Sequence, residues 1–280
     1  TAGEIFEKIN TKAALNIYKS AIKHTNRDEI FCHKVGDLYI KNNKPEDAME
    51  YYEQSLISNP LSRETLVKLA TISQTYFPEE IDNTIDYYNK LLEIDSENEQ
   101  IYYELGHLYL QKEDKLNAIS AFKLALEKDE DNPYYNNSLA HALVQADLYD
   151  DAIEYYQKAI KLNPDNEWTA LVCHALGSIY FQIKENSEAA IASFQAGTIL
   201  APYNSDLFIS LGDVYMSDND FDNAIRAYCD AINIDGENYQ SYAKLGMALW
   251  EKDFMEEALV AYHKAVELDP ENANAINNQI

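Results

Sequence analysis

With 280 residues, 48 of them acidic and 22 basic, the chain carries a formal charge of -26. That balance repels phosphate backbones and anionic lipid headgroups alike, which makes nucleic acid and membrane surfaces poor partners. No run of about 18 apolar residues is present, so no segment is expected to insert into a bilayer.

From the N-terminus, the pattern Ala14-Leu15-Tyr18-Ala21 places a small residue, a large aliphatic one, an aromatic and a second small one on one helix face. It returns at Ala48, Thr84, Ala118, Ala152, Ala190, Ala224 and Ala258, about every 34 residues. A period in this range predicts an all-α chain, an α-solenoid of stacked antiparallel helix pairs in which each unit touches only its neighbours. The stretch from Glu99 to Asn132 shows why. Ile101, Leu105 and Leu108 form one apolar stripe, Ile119, Phe122 and Leu126 another, and the polar connector 111–115 folds the two helices back on each other. Asn59-Pro60, Asn163-Pro164, Ala201-Pro202 and Asp269-Pro270 then end hairpins, because proline disfavours helix in the residue before it.

Opposite each aromatic, the first helix carries a small residue: Gly36, Ala70, Gly106, Ala140, Gly177, Gly212 or Gly246. A mid-helix glycine costs roughly 0.5–1 kcal/mol relative to alanine. Its recurrence therefore predicts a notch that seats the ring of the second helix, with the ring at Tyr156 and its equivalents as the anchor.

The set Gly106-x-x-Tyr109 and Ala118-x-x-x-Phe122-x-x-Ala125, repeated along the chain, resembles the tetratricopeptide repeat. The resemblance covers nearly the whole sequence as one solenoid. A partial repeat at 1–28 precedes repeats at 29–62, 63–98, 99–132, 133–166, 167–204, 205–238 and 239–272, and a further helix starts at 273–280. It implies a right-handed superhelix whose first helices line a concave groove, and a non-catalytic scaffold that binds a protein or peptide segment there.

Two repeats depart from the pattern. The connector from Gln74 to Ile81 is longer by two residues and holds Tyr76 and Phe77, which either tuck onto the next repeat or stand out as an aromatic knuckle. The repeat at 167–204 gains about one helical turn before Gly177; Trp168 on that turn either covers the neighbouring hairpin or anchors an interface.

Positions two, five, six and nine of each first helix are expected to face the groove. They supply His33, Lys34 and Asp37; Glu64, Lys68 and Thr71; Tyr103, Glu104 and His107; Asn137, Ser138 and His141; His174 and Ser178; Asp206, Ser210 and Asp213; then Lys244 and Met247. Charge along this series runs from a partly cationic start at Lys34 and Lys68 to an anionic stretch at Asp206 and Asp213, with Lys244 as the exception. The chain as a whole follows the same trend, with 22 acidic and 15 basic residues up to Lys128 and 26 against 7 beyond it. The expected partner is a segment with basic or mixed charge, its basic part near Asp206 and Asp213. A resemblance to the carboxylate-clamping members of the family fails at His33, Asp37, Lys68, Gln100 and Glu104, and the asparagine ladder of the sugar-transferase members is missing too.

Signs of chemistry are sparse. There is no GxSxG, HExxH or phosphate-cradling glycine loop. His107 and His141 hold equivalent positions but lack a third ligand at zinc spacing, so no metal is expected. Asp218-Asn219-Asp220-Phe221-Asp222 begins like a calcium loop but has Asn223 and Cys229 where the glycine and glutamate belong, and reads as a turn. Cys32, Cys173 and Cys229 are too widely spaced for a disulfide framework and suit a reducing compartment, so a cytoplasmic location is expected; with no motif for one, no cofactor is expected. Because the first residues fall inside a repeat, export stays open. A stop inside a first helix would leave an apolar end for more sequence or a second copy to cover, making self-association a further expectation. The alternative to a free scaffold is the regulatory or substrate-selecting arm of a larger enzyme.

Overall fold

The computed structural model describes residues 2–25 and 28–272. The helix start expected at 273–280 lies outside the described residues. Among those residues the regular structure is fifteen α-helices and one short 3-10 turn, with no strand. The all-α expectation therefore holds.

The chain divides into two compact units, Thr1–Glu130 and Asp131–Ile280. The first unit contains α1 (Ala2–His24) and three hairpins: α2 (Glu29–Lys41) with α3 (Pro45–Ser58), α4 (Arg63–Tyr76) with α5 (Ile81–Ile94), and α6 (Glu99–Gln111) with α7 (Lys115–Lys128). The second contains four: α8 (Pro133–Gln145) with α9 (Tyr149–Leu162), α10 (Glu167–Gln182) with α11 (Ser187–Leu200), α12 (Ser205–Ser217) with α13 (Phe221–Ile234), and α14 (Tyr239–Glu251) with α15 (Met255–Leu268). Within each unit the second helix of one hairpin packs on the first helix of the next, so hairpins follow in single file.

Local chemistry explains where helices begin. Asp28, Ser62, Asn98, Asn132, Asn166, Asn204 and Asn238 each stand just before a first helix, and each side chain accepts a hydrogen bond from a backbone N–H of the first turn. Such caps satisfy groups that the helix itself leaves open and contribute about 1 kcal/mol each. Inside six of the hairpins the chain reverses at a residue with φ of 50–62°: Asn43, Glu113, Asp147, Glu185, Asn219 and Asp253. The long connector after α4 turns without one. There Phe77 folds inward against the core of the first unit, while Tyr76 stays 42% exposed.

The notches are occupied as expected. A methyl group added at Gly106 would lie 2.4 Å from the Phe122 ring, and at Gly36, Gly177, Gly212 and Gly246 it would lie 2.5, 2.7, 2.5 and 2.9 Å from Tyr52, Phe194, Tyr228 and Tyr262. All five rings are buried. Van der Waals contact begins near 3.5 Å, so only a missing side chain allows this approach.

Tyr156 is buried in the same way against the Ala140 helix, and burial pushes its phenol up to about 12. Because that value lies above the unfolded one of about 10, the neutral phenol's contribution is complete below about pH 10 and is lost as pH rises towards the folded value. The melting temperature should therefore fall between about pH 9 and 12, and fall less in Tyr156→Phe; thermal melts across that range check it.

Candidate functional site

In the first unit, α2 and α4 flank an open cleft of about 410 Å³ lined by Asp37, Ile40, Tyr52, Val67, Lys68 and Ile72 together with Lys41 and Thr71. Three of the predicted residues meet there. The Tyr52 hydroxyl donates to Asp37 Oδ1 at 2.5 Å, and Lys68 Nζ reaches the same oxygen at 2.8 Å. Partial burial alone would raise the Asp37 carboxyl, but Lys68 and Tyr52 outweigh it and hold the group below the usual carboxylate range. In Tyr52, burial first and Asp37 second push the phenol well above its ordinary value.

The second unit repeats the arrangement. Tyr228 donates to Asp213 Oδ1 at 2.8 Å, and Lys244 Nζ meets that oxygen at 2.6 Å. Asp213 and Asp37 thus do not project away from the second helices but tie a ring on one second helix to a lysine of the next hairpin. Lys244 is no exception to the charge series: it is the counter-ion of Asp213, as Lys68 is of Asp37. The expected polarity loses two of its four charges to these internal pairs.

Among the residues expected to face the groove, His33 departs most clearly from an open position. It is 7% exposed, with Nε2 2.7 Å from Thr65 Oγ1 and Nδ1 3.2 Å from the Glu64 carboxylate. Ser138 is buried as well. His174 is half-buried, its Nε2 2.9 Å from Ser210 Oγ, its ring against Phe194. Burial lowers its imidazole below the ordinary value, against the opposing charge of Asp206. Tyr103 and His107 pack edge-on beside Phe122 in the first unit. Lys34 is exposed with its ammonium 5.2 Å from the Tyr18 ring centre. Asn137 is half-buried and His141 exposed, both in the second unit. Asp206 is exposed and makes no ion pair among the described residues.

Two features escaped the sequence reading although signals existed. The Tyr–Asp–Lys ties share one spacing, 15 residues from aspartate to tyrosine and 31 from aspartate to lysine. Val67 occupies the repeat position of His33 and Tyr103, and is 46% exposed at the cleft.

The calcium-like string is spent on structure. Asp220 caps α13, Asp218 accepts from Ser187, and Asp222 pairs with Lys252. Among the described residues no group of three or more His, Cys, Asp and Glu could hold a metal ion, and no helix is long and apolar enough to cross a membrane. Cys32 and Cys173 are buried thiols, whereas Cys229 is only half-buried.

Models of the tetratricopeptide repeat match residues 31–60, 103–167, 137–205, 205–238 and 239–272. The chain belongs to the tetratricopeptide repeat family. Its fold is accordingly that of a protein–protein interaction scaffold. Among curated proteins it is 27% identical over 266 residues to the BBSome complex member BBS4 of Bos taurus, covering 92% of this chain and 48% of that protein. It thus spans about half the length of that relative. The formate-dependent nitrite reductase complex subunit NrfG of Escherichia coli O157:H7 is 34% identical over 70 residues, 25% of this chain and 35% of that one. Among solved structures, MamA protein aligns with a TM-score of 0.57 and 31% identity, over 63% of this tetratricopeptide repeat chain and 94% of MamA.

Proposed function

We propose that this tetratricopeptide repeat chain is a non-catalytic scaffold that holds a basic protein segment on the first helices of its second unit. The observation that carries the reading is charge. Residues 131–280 include 24 acidic side chains against 7 basic ones, and five of those seven are already paired, as Lys158, Lys184, Lys244, Lys252 and Lys264. The remaining negative field draws in cations and disfavours acidic competitors. Asp206 is the exposed carboxylate of the predicted site that no internal lysine neutralises. Membership of a multi-protein assembly, which the name of the BBS4 relative carries, fits a scaffold of this kind, and a cytoplasmic setting suits its free thiols.

Asp206→Lys is expected to weaken binding of a partner recovered on the immobilised chain by about tenfold or more, and to flatten the salt dependence of that binding. Calorimetry at two ionic strengths measures both, and an unchanged affinity would refute the reading. A second reading, the arm of a larger enzyme, is favoured by the similarity to a reductase complex subunit; copurification of an activity with the chain, lost on Asp206→Lys, would decide for it.

A further inference from the structure

Tyr134 and Trp168 hold the second position of α8 and α10, with ring centres 4.7 Å apart and planes at 51°. Tyr134 is 46% exposed and Trp168 half-buried, so both side chains remain partly accessible to solvent. Leu171, on the next part of α10, is 58% exposed. From Leu171 one turn along α10 leads to His174, which touches Ser210 of α12; one turn back along α12 leads to Asp206. Leu171 and Asp206 therefore each lie about one turn before the His174–Ser210 contact that joins α10 to α12. The aromatic pair, the exposed Leu171 and the exposed Asp206 carboxylate thus all belong to the first two turns of α8, α10 and α12.

A ligand for these side chains needs a flat apolar face and a positive charge. Lysine supplies the charge as a compact, strongly hydrated point, whereas the planar guanidinium of arginine stacks on aromatic rings and still directs N–H groups at a carboxylate. The partial positive charge of the helix starts opposes any cation. It is attenuated here by the side-chain caps Asn132, Asn166 and Asn204, and set against a unit with 24 acidic residues and 7 basic ones.

We infer that Tyr134, Trp168 and Leu171 seat an arginine side chain of a basic protein segment, its guanidinium stacked on the rings and directed towards Asp206. This rests on the segment-binding reading given above and specifies the residue that is recognised.

The test uses the Trp250→Phe chain, in which Trp168 is the sole tryptophan. Synthetic peptides of alternating arginine and serine, lysine and serine, or glutamate and serine are titrated while Trp168 fluorescence and heat are recorded. The arginine peptide should bind saturably with a fluorescence change and about tenfold more tightly than the lysine peptide, and Trp168→Ala or Asp206→Asn should each remove most of that preference. Thermal melts of the variants establish that they fold. Equal affinity for the arginine and lysine peptides, or a preference unaltered in both variants, would overturn the arginine assignment while leaving the scaffold reading in place. Preferential binding of the glutamate peptide, or no binding of any of the three, would overturn it too; recovery of a partner sensitive to Asp206→Lys then judges the scaffold reading separately.

Discussion

Truncating Phe122 to alanine is expected to lower stability by about 3–5 kcal/mol, the largest effect foreseen for any single side chain. The ring is fully buried and fills the space that Gly106 leaves open, so its loss creates a cavity that two helices cannot close without moving. The partner substitution gives a sharper test because two effects oppose each other. Gly106→Ala gains about 1 kcal/mol of helix propensity, but its methyl would lie 2.4 Å from Phe122, and overpacking of this kind costs about 1–3 kcal/mol. A net loss is expected, reduced when Phe122→Leu is added. Denaturant unfolding of the two single variants and the double variant measures the coupling; a stabilised Gly106→Ala protein would show that the notch is not needed.

The second large effect concerns Asp213. Asp213→Ala would leave the buried Tyr228 hydroxyl without its acceptor and the Lys244 ammonium without its counter-ion. A buried group left unsatisfied costs about 1–3 kcal/mol. Tyr228→Phe on top of Asp213→Ala should recover much of the loss, since a phenyl ring asks for no acceptor. Asp37→Ala should cost less, because the Asp37 side chain is 54% exposed and water can replace it at Lys68. Chemical denaturation of the four proteins checks the order.

These effects divide between what the chain shows locally and what it does not. Helix starts are written in single residues: Asn98 before Glu99 or Asn204 before Ser205 states a cap on its own, because the bond it makes spans only two or three positions. The notch at Gly106 was equally legible, since glycine in a helix interior needs a steric reason and the aromatic recurs at a constant distance. The face offered to a partner was harder. His33, Asp37 and Asp213 look like free groove residues in the helical pattern, yet their hydrogen bonds run to Thr65, Tyr52 and Tyr228, and the two aspartates also hold Lys68 and Lys244. Trp168 has two roles open to it in the pattern, and the structure adds that its ring lies 4.7 Å from that of Tyr134 on the preceding hairpin.

By itself, the order of residues determined that this chain forms capped helical hairpins with ring-and-notch joints, because periodicity, caps and small residues act over a few turns and repeat. Only the tertiary structure decided which charges stay available. An ion pair such as Lys244 with Asp213 forms between helices 31 residues apart, and its existence depends on how neighbouring hairpins are placed. Asp206 stayed exposed and Asp213 did not, a difference that identical side chains cannot announce and that packing alone creates.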